Sequence, residues 1–269
     1  MVEEDTRKWV YWVIPALVAV GVGAALYYGY AHRQAEQQAQ QAPVVAEPET
    51  TLPSAEPPIQ NPVEETAPPE PLPPLPESDP PVQEGLGDVF GRALDPFLIP
   101  KNIVRHTVVT IDNLPRKKTA VQMWPLKPIG GELGTAGEGD EVTLAQTNFA
   151  RYEPVMKIIR NMDTAQLATL YKQYYPLFQQ AYVDLGYPEG YFNDRLVEVI
   201  DHLLATPDVT GPVLLRRPSV NYEFVDPELE NRSAGQKMLI RIGSENAAIV
   251  KSKLRELRDL IAKQESAAG

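Results

Sequence analysis

Between Pro43 and Pro81 the chain places 14 prolines in 39 residues, with glutamates among them and little that is apolar. Proline removes backbone donors and fixes φ, and neighbouring carboxylates repel one another. The stretch therefore reads as an extended spacer, partly polyproline II. At about 3.1 Å per residue it reaches on the order of 120 Å. A PxxP ligand for a peptide-recognition domain is the other reading of such a composition. Either way, what lies before the stretch and what lies after it must fold separately.

Upstream, Trp9 to Ala31 gives 23 residues without a charge, "WVYWVIPALVAVGVGAALYYGYA". That is long enough to cross about 30 Å of hydrocarbon as a helix. Aromatic residues gather at both ends, where their amphipathic rings prefer the membrane interface. Tyrosines, not a small-x-small site, close the segment, so it reads as an uncleaved signal anchor. Arg7 and Lys8 precede it, and after Arg33 no Lys or Arg occurs until Arg92. This asymmetry predicts a cytoplasmic tail at 1–8, a membrane helix at 9–31 and the remainder on the far side, which in a bacterium is the periplasm. Gly21, Ala25 and Gly29 recur every four residues. Two readings stand for them, a homodimer through close helix packing and the general abundance of small residues in membrane helices.

Residues 34–91 hold eleven Asp or Glu and no Lys or Arg, while the rest of the chain balances 25 basic against 25 acidic side chains. The net charge of -11 therefore belongs to that one segment. Nothing in this distribution offers the phosphate-neutralising surface that nucleic-acid binding needs. The absence of cysteine rules out disulfides, thiol nucleophiles, thiolate metal sites and a lipid anchor on Cys.

Downstream of an acidic, proline-rich linker at 32–77, a domain over 78–265 is expected, mainly α and α+β in detail, with a small β-hairpin. A first helix starts at a Ser78 or Asp79 cap before Pro80. A second runs from about Asp95 to Leu114, although "TVVTI" keeps a strand reading open. Residues 115–148 read as loop-rich, with short strands near Val121–Trp124 and Val142–Ala145. Helices are predicted from Phe149 to Asn161, capped at Thr147 or Asn148, and from Asp163 or Thr164 to Leu185, the latter kinked or split at Pro176 and stopped by Gly186. "VLLRRPSVNYEFV" alternates as a hairpin turning at Pro218 and Ser219. Two last helices, about 234–242 and 245–263, meet at Gly243 with Ser244 as cap. Along the second, Ala247, Val250, Leu254, Leu257 and Ile261 form a seam for another helix, inside the domain or in a partner.

The stretch "YFNDRLVEVIDHLLATP", residues 191–207, carries His202 among Asp194, Glu198 and Asp201. On a helical wheel those four fall opposite Leu196, Val197, Val199, Ile200, Leu203 and Leu204. They are a polar cluster to be weighed as a site, but a solvated face with a Glu198–His202 pair explains them as well. A metal would need ligands from another element, and no HExxH or comparable histidine pair exists, so no metal is expected. Tyr171, Tyr174, Tyr175 and Tyr182 crowd one helix. They read either as core with hydroxyls at the rim or as an interaction surface, such as a platform for sugar rings. Residues 232–263 carry eight Lys or Arg against three acids, a basic patch for anionic headgroups or for the acidic spacer, or an ordinary helix surface. No GxSxG, SxxK or phosphate-binding loop occurs, and no cofactor is implied.

The strings "LPESD", "TIDNLP", "NFARYEPV", "YPLFQQAYVDLGYP", "YFNDRLVEVIDHLLATP", "YEFVDPELE" and "SAGQKMLIRIGSENAAIVKSKLRELR" resemble a proteobacterial family known only as domain of unknown function 3014, over about residues 76–262. The resemblance implies a single-pass inner-membrane protein with a periplasmic domain, and brings no activity or site residues. Three functions remain in view: a non-enzymatic envelope interaction or scaffold protein with a protein partner, a membrane-tethered hydrolase or binder of cell-wall glycan such as peptidoglycan, and a linker that needs only its length. A reporter fused to the C-terminus is expected to be active only when exported; activity in the cytoplasm would invert the topology.

Overall fold

The computed structural model describes residues 58–63 and 71–263, which belong to one compact unit of the chain beginning at Glu56. The predicted tail at 1–8, the membrane helix at 9–31 with Gly21, Ala25 and Gly29, and the remainder of the linker lie outside the described residues. Among the described residues no helix is long and apolar enough to cross a membrane.

After a 3₁₀ turn at Leu75–Glu77 come α1 (Asp79–Phe90), α2 (Ile103–Asn113), β1 (Thr135–Ala136), β2 (Thr143–Leu144), α3 (Gln146–Ala150), α4 (Glu153–Asn161) and α5 (Thr164–Asp184). Then follow α6 (Phe192–Leu204), β3 (Leu215–Arg216), β4 (Glu223–Phe224), α7 (Pro227–Glu230), α8 (Ala234–Arg241) and α9 (Ser244–Ile261). The domain is mainly helical with small two-stranded sheets. Helix α5 is central, touched by α1, α2, α6 and α9. Its buried Tyr171 and Leu177 meet Val104 and Val108 of α2, Phe192 and Ile200 of α6, and Ile261. A second cluster, Leu144, Val213, Leu215, Phe224 and Ile240, lies under the strands.

Both strand pairs are antiparallel, with Thr135 opposite Leu144 and Leu215 opposite Phe224. Two strands alone hold poorly in water. Here the pairs are stitched together: Leu144 N–H donates to the Val213 carbonyl at 3.0 Å and Leu215 N–H to that of Val142 at 2.7 Å.

Several helix ends differ from the sequence reading, and each has a local cause. Helix α2 begins at Ile103 instead of Asp95, because Asn102 takes the left-handed conformation at φ 53°. Asp79, expected to cap its own helix, receives the Asn102 and Ile103 amides at 2.7 and 2.8 Å and so caps α2. "TVVTI" is helical, since Val104 and Val108 must share the buried face. Val121–Met123 is a 3₁₀ turn in place of a strand. Asn148 caps nothing: it is buried, and its amide donates to the Arg241 carbonyl at 2.8 Å. Helix α5 runs through Pro176 unbroken; the ring sits on the exposed side, where the missing backbone donor costs least. Gly186, at φ 116°, follows its end, and Gly243, at φ 89°, takes the cap position expected of Ser244. The seam on α9 packs within the domain, against α5 and α6.

The domain also starts earlier than Ser78. Leu75 is buried in the core, and residues 58–63 of the supposed spacer are bound to α6. Asn61 is the clip. Its backbone N–H and side-chain amide donate to the Asp194 carboxylate at 2.6 and 3.1 Å, joined by the Gln60 N–H at 3.0 Å. Its backbone carbonyl accepts from the Asn193 amide at 2.9 Å, and its side-chain oxygen from the Lys263 N–H at 3.1 Å. Asn193, itself fully buried, donates to the Ile261 carbonyl at 2.9 Å and accepts from the Tyr171 hydroxyl at 3.1 Å. This proline-containing segment has no ladder of its own, so it takes its partners from the Asp194 and Asn193 side chains at the start of α6 and from the Lys263 N–H just past α9.

Replacing Asn193 orphans a buried hydroxyl and two carbonyls, and unsatisfied buried groups cost about 1–3 kcal/mol each. Asn193→Ala is therefore expected to lower stability by about 2–4 kcal/mol in chemical unfolding. Adding Tyr171→Phe should recover part of the loss, because the orphaned hydroxyl is then gone. Equal stability of Asn193→Ala and the native chain would show that the clip is superficial.

Candidate functional site

The four polar side chains grouped on α6 go to four different partners. Asp194 holds the clip. Glu198 pairs with Arg195 on its own helix at 2.8 Å. Asp201 takes a two-pronged contact from Arg258 of α9, 2.5 Å to Nε and 3.0 Å to Nη2. His202 Nε2 lies 2.8 Å from the Ser233 hydroxyl, whose oxygen also caps α8 by accepting the Gln236 N–H at 3.2 Å. The expected Glu198–His202 pair is thus replaced by separate contacts. Among the described residues no group of three potential metal ligands stands together.

The tyrosines are placed inside. Tyr171, Tyr174 and Tyr182 are buried and Tyr175 is half-buried, so they pack the core and do not form an exposed platform. Burial pushes the Tyr171 phenol well above its ordinary range, with Tyr175 and Asp194 adding to the effect. The basic stretch is likewise largely spent on the fold. Lys251 is buried, donating to the Thr206 carbonyl at 2.6 Å and to Asp208 at 2.7 Å. Lys237 pairs with Glu230 at 2.6 Å, and Arg241 covers the Phe224 ring at 4.9 Å.

A stronger polar cluster surrounds Asp112, which the sequence reading passed over. Its carboxylate is only 2% exposed and receives Arg195 Nε at 3.1 Å, Arg116 Nη2 at 2.5 Å and the Tyr187 hydroxyl at 3.3 Å. Arg195 Nη2 also donates to the Asp112 carbonyl at 2.9 Å. Tyr187 stacks on Tyr182 with ring centroids 4.5 Å apart. A signal was present: Val104, Val108 and Asp112 follow at four-residue spacing, which puts a carboxylate on the buried face of α2. Closed by two guanidiniums and a phenol, the group leaves no approach for a substrate. It is a structural tie between α2 and α6.

The open concavity lies elsewhere. Helix α1 and the Pro71–Pro73 segment stand off from α5 across a groove of about 1110 Å³, lined by Glu77, Pro80, Pro81, Glu84, Asp88, Gln166, Thr169, Gln173 and Tyr174. Gly85 lets the helices meet at its floor, since a Cβ there would overlap Leu170. Tyr174 anchors the wall by donating to the Pro81 carbonyl at 3.0 Å. Burial raises its phenol pKa, and Glu84 and Asp88 raise it further. None of Asp194, Glu198, Asp201 and His202 lines this groove.

Burial lowers the pKa of His202, with Glu198 opposing and Arg195 and Arg232 reinforcing. The folded state thus prefers the neutral imidazole. Its contribution to stability is complete above the ordinary histidine pKa, about 6.5, and is lost as pH falls through the lower folded value. The melting temperature should drop between about pH 7.5 and pH 5.5, and His202→Gln should flatten that slope. Parallel slopes for the two proteins would exonerate His202.

No curated protein and no solved structure matches the chain. One family model does, over residues 103–258, from the first residue of α2 to near the end of α9. The clip at Asn61 and the α1 side of the groove precede that stretch, while the Asp112 tie, the α6 polar residues and the α5 wall fall within it. The chain belongs to the family described as protein of unknown function, DUF3014.

Proposed function

We propose that this chain is a bacterial inner-membrane protein, anchored by residues 9–31 with its N-terminus in the cytoplasm, whose periplasmic helical domain serves as a non-enzymatic interaction or scaffold module of the envelope. The observation that supports it best is the α1 groove: about 1110 Å³, open, and lined by prolines, carboxylates and amides without an imidazole. The polar side chains of α6, Asp194, Glu198, Asp201 and His202, are instead held in contacts of their own. A groove of this kind suits a protein partner. Pairing of the anchor through Gly21, Ala25 and Gly29 would present two such domains together.

A second reading, a tethered binder or hydrolase of cell-wall glycan, draws on the same groove, where Glu77, Glu84 and Asp88 stand with Tyr174. Carboxylates on the walls of a cleft are what glycan hydrolysis requires.

The full chain in neutral detergent, immobilised and exposed separately to solubilised envelope proteins and to purified peptidoglycan, separates the two. Saturable recovery of a defined protein, with peptidoglycan left bound to nothing, is the expected result. Release of soluble glycan fragments would replace the interaction module with an enzyme.

A further inference from the structure

Resting on the interaction-module reading, we propose that the α1 groove is the docking site for a segment of a partner protein in which apolar side chains stand beside lysines or arginines. Two features of the groove select that occupant. At the Phe90 end of α1 the groove meets a second depression of about 430 Å³, with Val89 lining both. Phe90, Phe97, Ile158 and Met162 form this part, and each is only half-buried. The surface along α1 is therefore continuous and changes from carboxylate-walled to apolar. Its length, about 18 Å for the twelve residues of α1, fits an extended segment of about five or six residues.

Charge supplies the second argument. Elsewhere several acids are paired, with Asp95, Asp112, Asp184, Asp201 and Glu230 each within 3.4 Å of a basic side chain. Among the described residues Glu77, Glu84 and Asp88 have no such partner, and they gather in this one groove with no Lys or Arg in its lining. The two depressions share a single lining cation, Lys157, at the apolar end. An anionic wall beside a half-buried apolar floor favours a cationic, apolar segment and repels an acidic one. The chain's own residues 34–57, with four glutamates and no Lys or Arg, are disfavoured as occupant by the same rule.

The test uses the full chain in neutral detergent and a fluorescein-labelled twelve-residue peptide of Leu, Phe, Lys and Arg, compared with its counterpart carrying Glu at every basic position. Anisotropy should show saturable binding of the basic peptide and at least about tenfold weaker binding of the acidic one. Glu84→Lys with Asp88→Lys should weaken the basic peptide about tenfold. Glu132→Lys with Glu138→Lys, an equal change of net charge on an exposed loop, should leave it unchanged. Because the chain has no cysteine, a fluorophore on Val89→Cys gives a second readout, which the basic peptide should shift in the native-charge background. Equal losses in the two charge-reversed proteins, equal binding of the two peptides, no binding, or a silent label at position 89 would each overturn the proposal. A protein partner that binds elsewhere on the domain would sink the groove assignment while leaving the interaction module standing.

Discussion

Asn193 is the point on which the rest of the domain turns. It is fully buried, at the first turn of α6, and one amide group there ties the Tyr171 hydroxyl, the Asn61 carbonyl and the Ile261 carbonyl together. The segments it joins are far apart in sequence, so their closure costs chain entropy, and the bonds are held in place because each of these groups, once buried, would otherwise be left without a partner. Its neighbour Asp194 completes the arrangement by taking the amides of the same strand. One helix start thus fixes the entry strand, the central helix α5 and the end of α9. Arg195, the next residue, reaches Asp112 and fixes α2 as well.

How far the sequence disclosed this fold follows from the range of each interaction. The helices were legible because apolar side chains at 3.6-residue spacing must face a core, and α5 and α9 were placed to within two residues, whereas the helix expected over 149–161 is observed as two, α3 and α4. A small hairpin was legible in residues 213–225, but its paired strands are only Leu215–Arg216 and Glu223–Phe224, and Val220 of the alternating run lies outside them, exposed. Helix starts were less so, because the capping group can come from another segment: Asp79 caps α2 from across the fold, and nothing local marks that. The Asp112 tie and the Asn61 clip are long-range pairings with no characteristic spacing, and proline content argued against any bound structure at residue 61. For the site, the polar cluster of α6 was correctly grouped on one face. Its dispersal among Asn61, Arg195, Arg258 and Ser233 depended on what packs opposite.

The same distinction governs charge. Read along the chain, the acids of residues 34–91 belong to a spacer and the basic residues of 232–263 form a patch. In space, four of the eight basic residues of that stretch pair with Glu230, Asp208, Glu256 and Asp201, and part of the acidic segment becomes the wall of the groove. Surface pairs of this kind are worth roughly 0–1 kcal/mol each. Their larger effect is to leave one face of the domain with uncompensated charge.

The clip also has a mechanical side. Tension on the chain upstream of Pro58 enters the domain at Gln60 and Asn61, where five hydrogen bonds to Asp194, Asn193 and Lys263 share it. Bonds that share a load must fail nearly together, whereas bonds loaded one after another unzip. The force then passes into α6, whose Phe192, Asn193 and Ile200 are buried, and into the end of α9 at Ile261, while the groove lies between α1 and α5 and none of the clip's partners lines it. A tether attached in this way can be pulled without deforming the surface it presents.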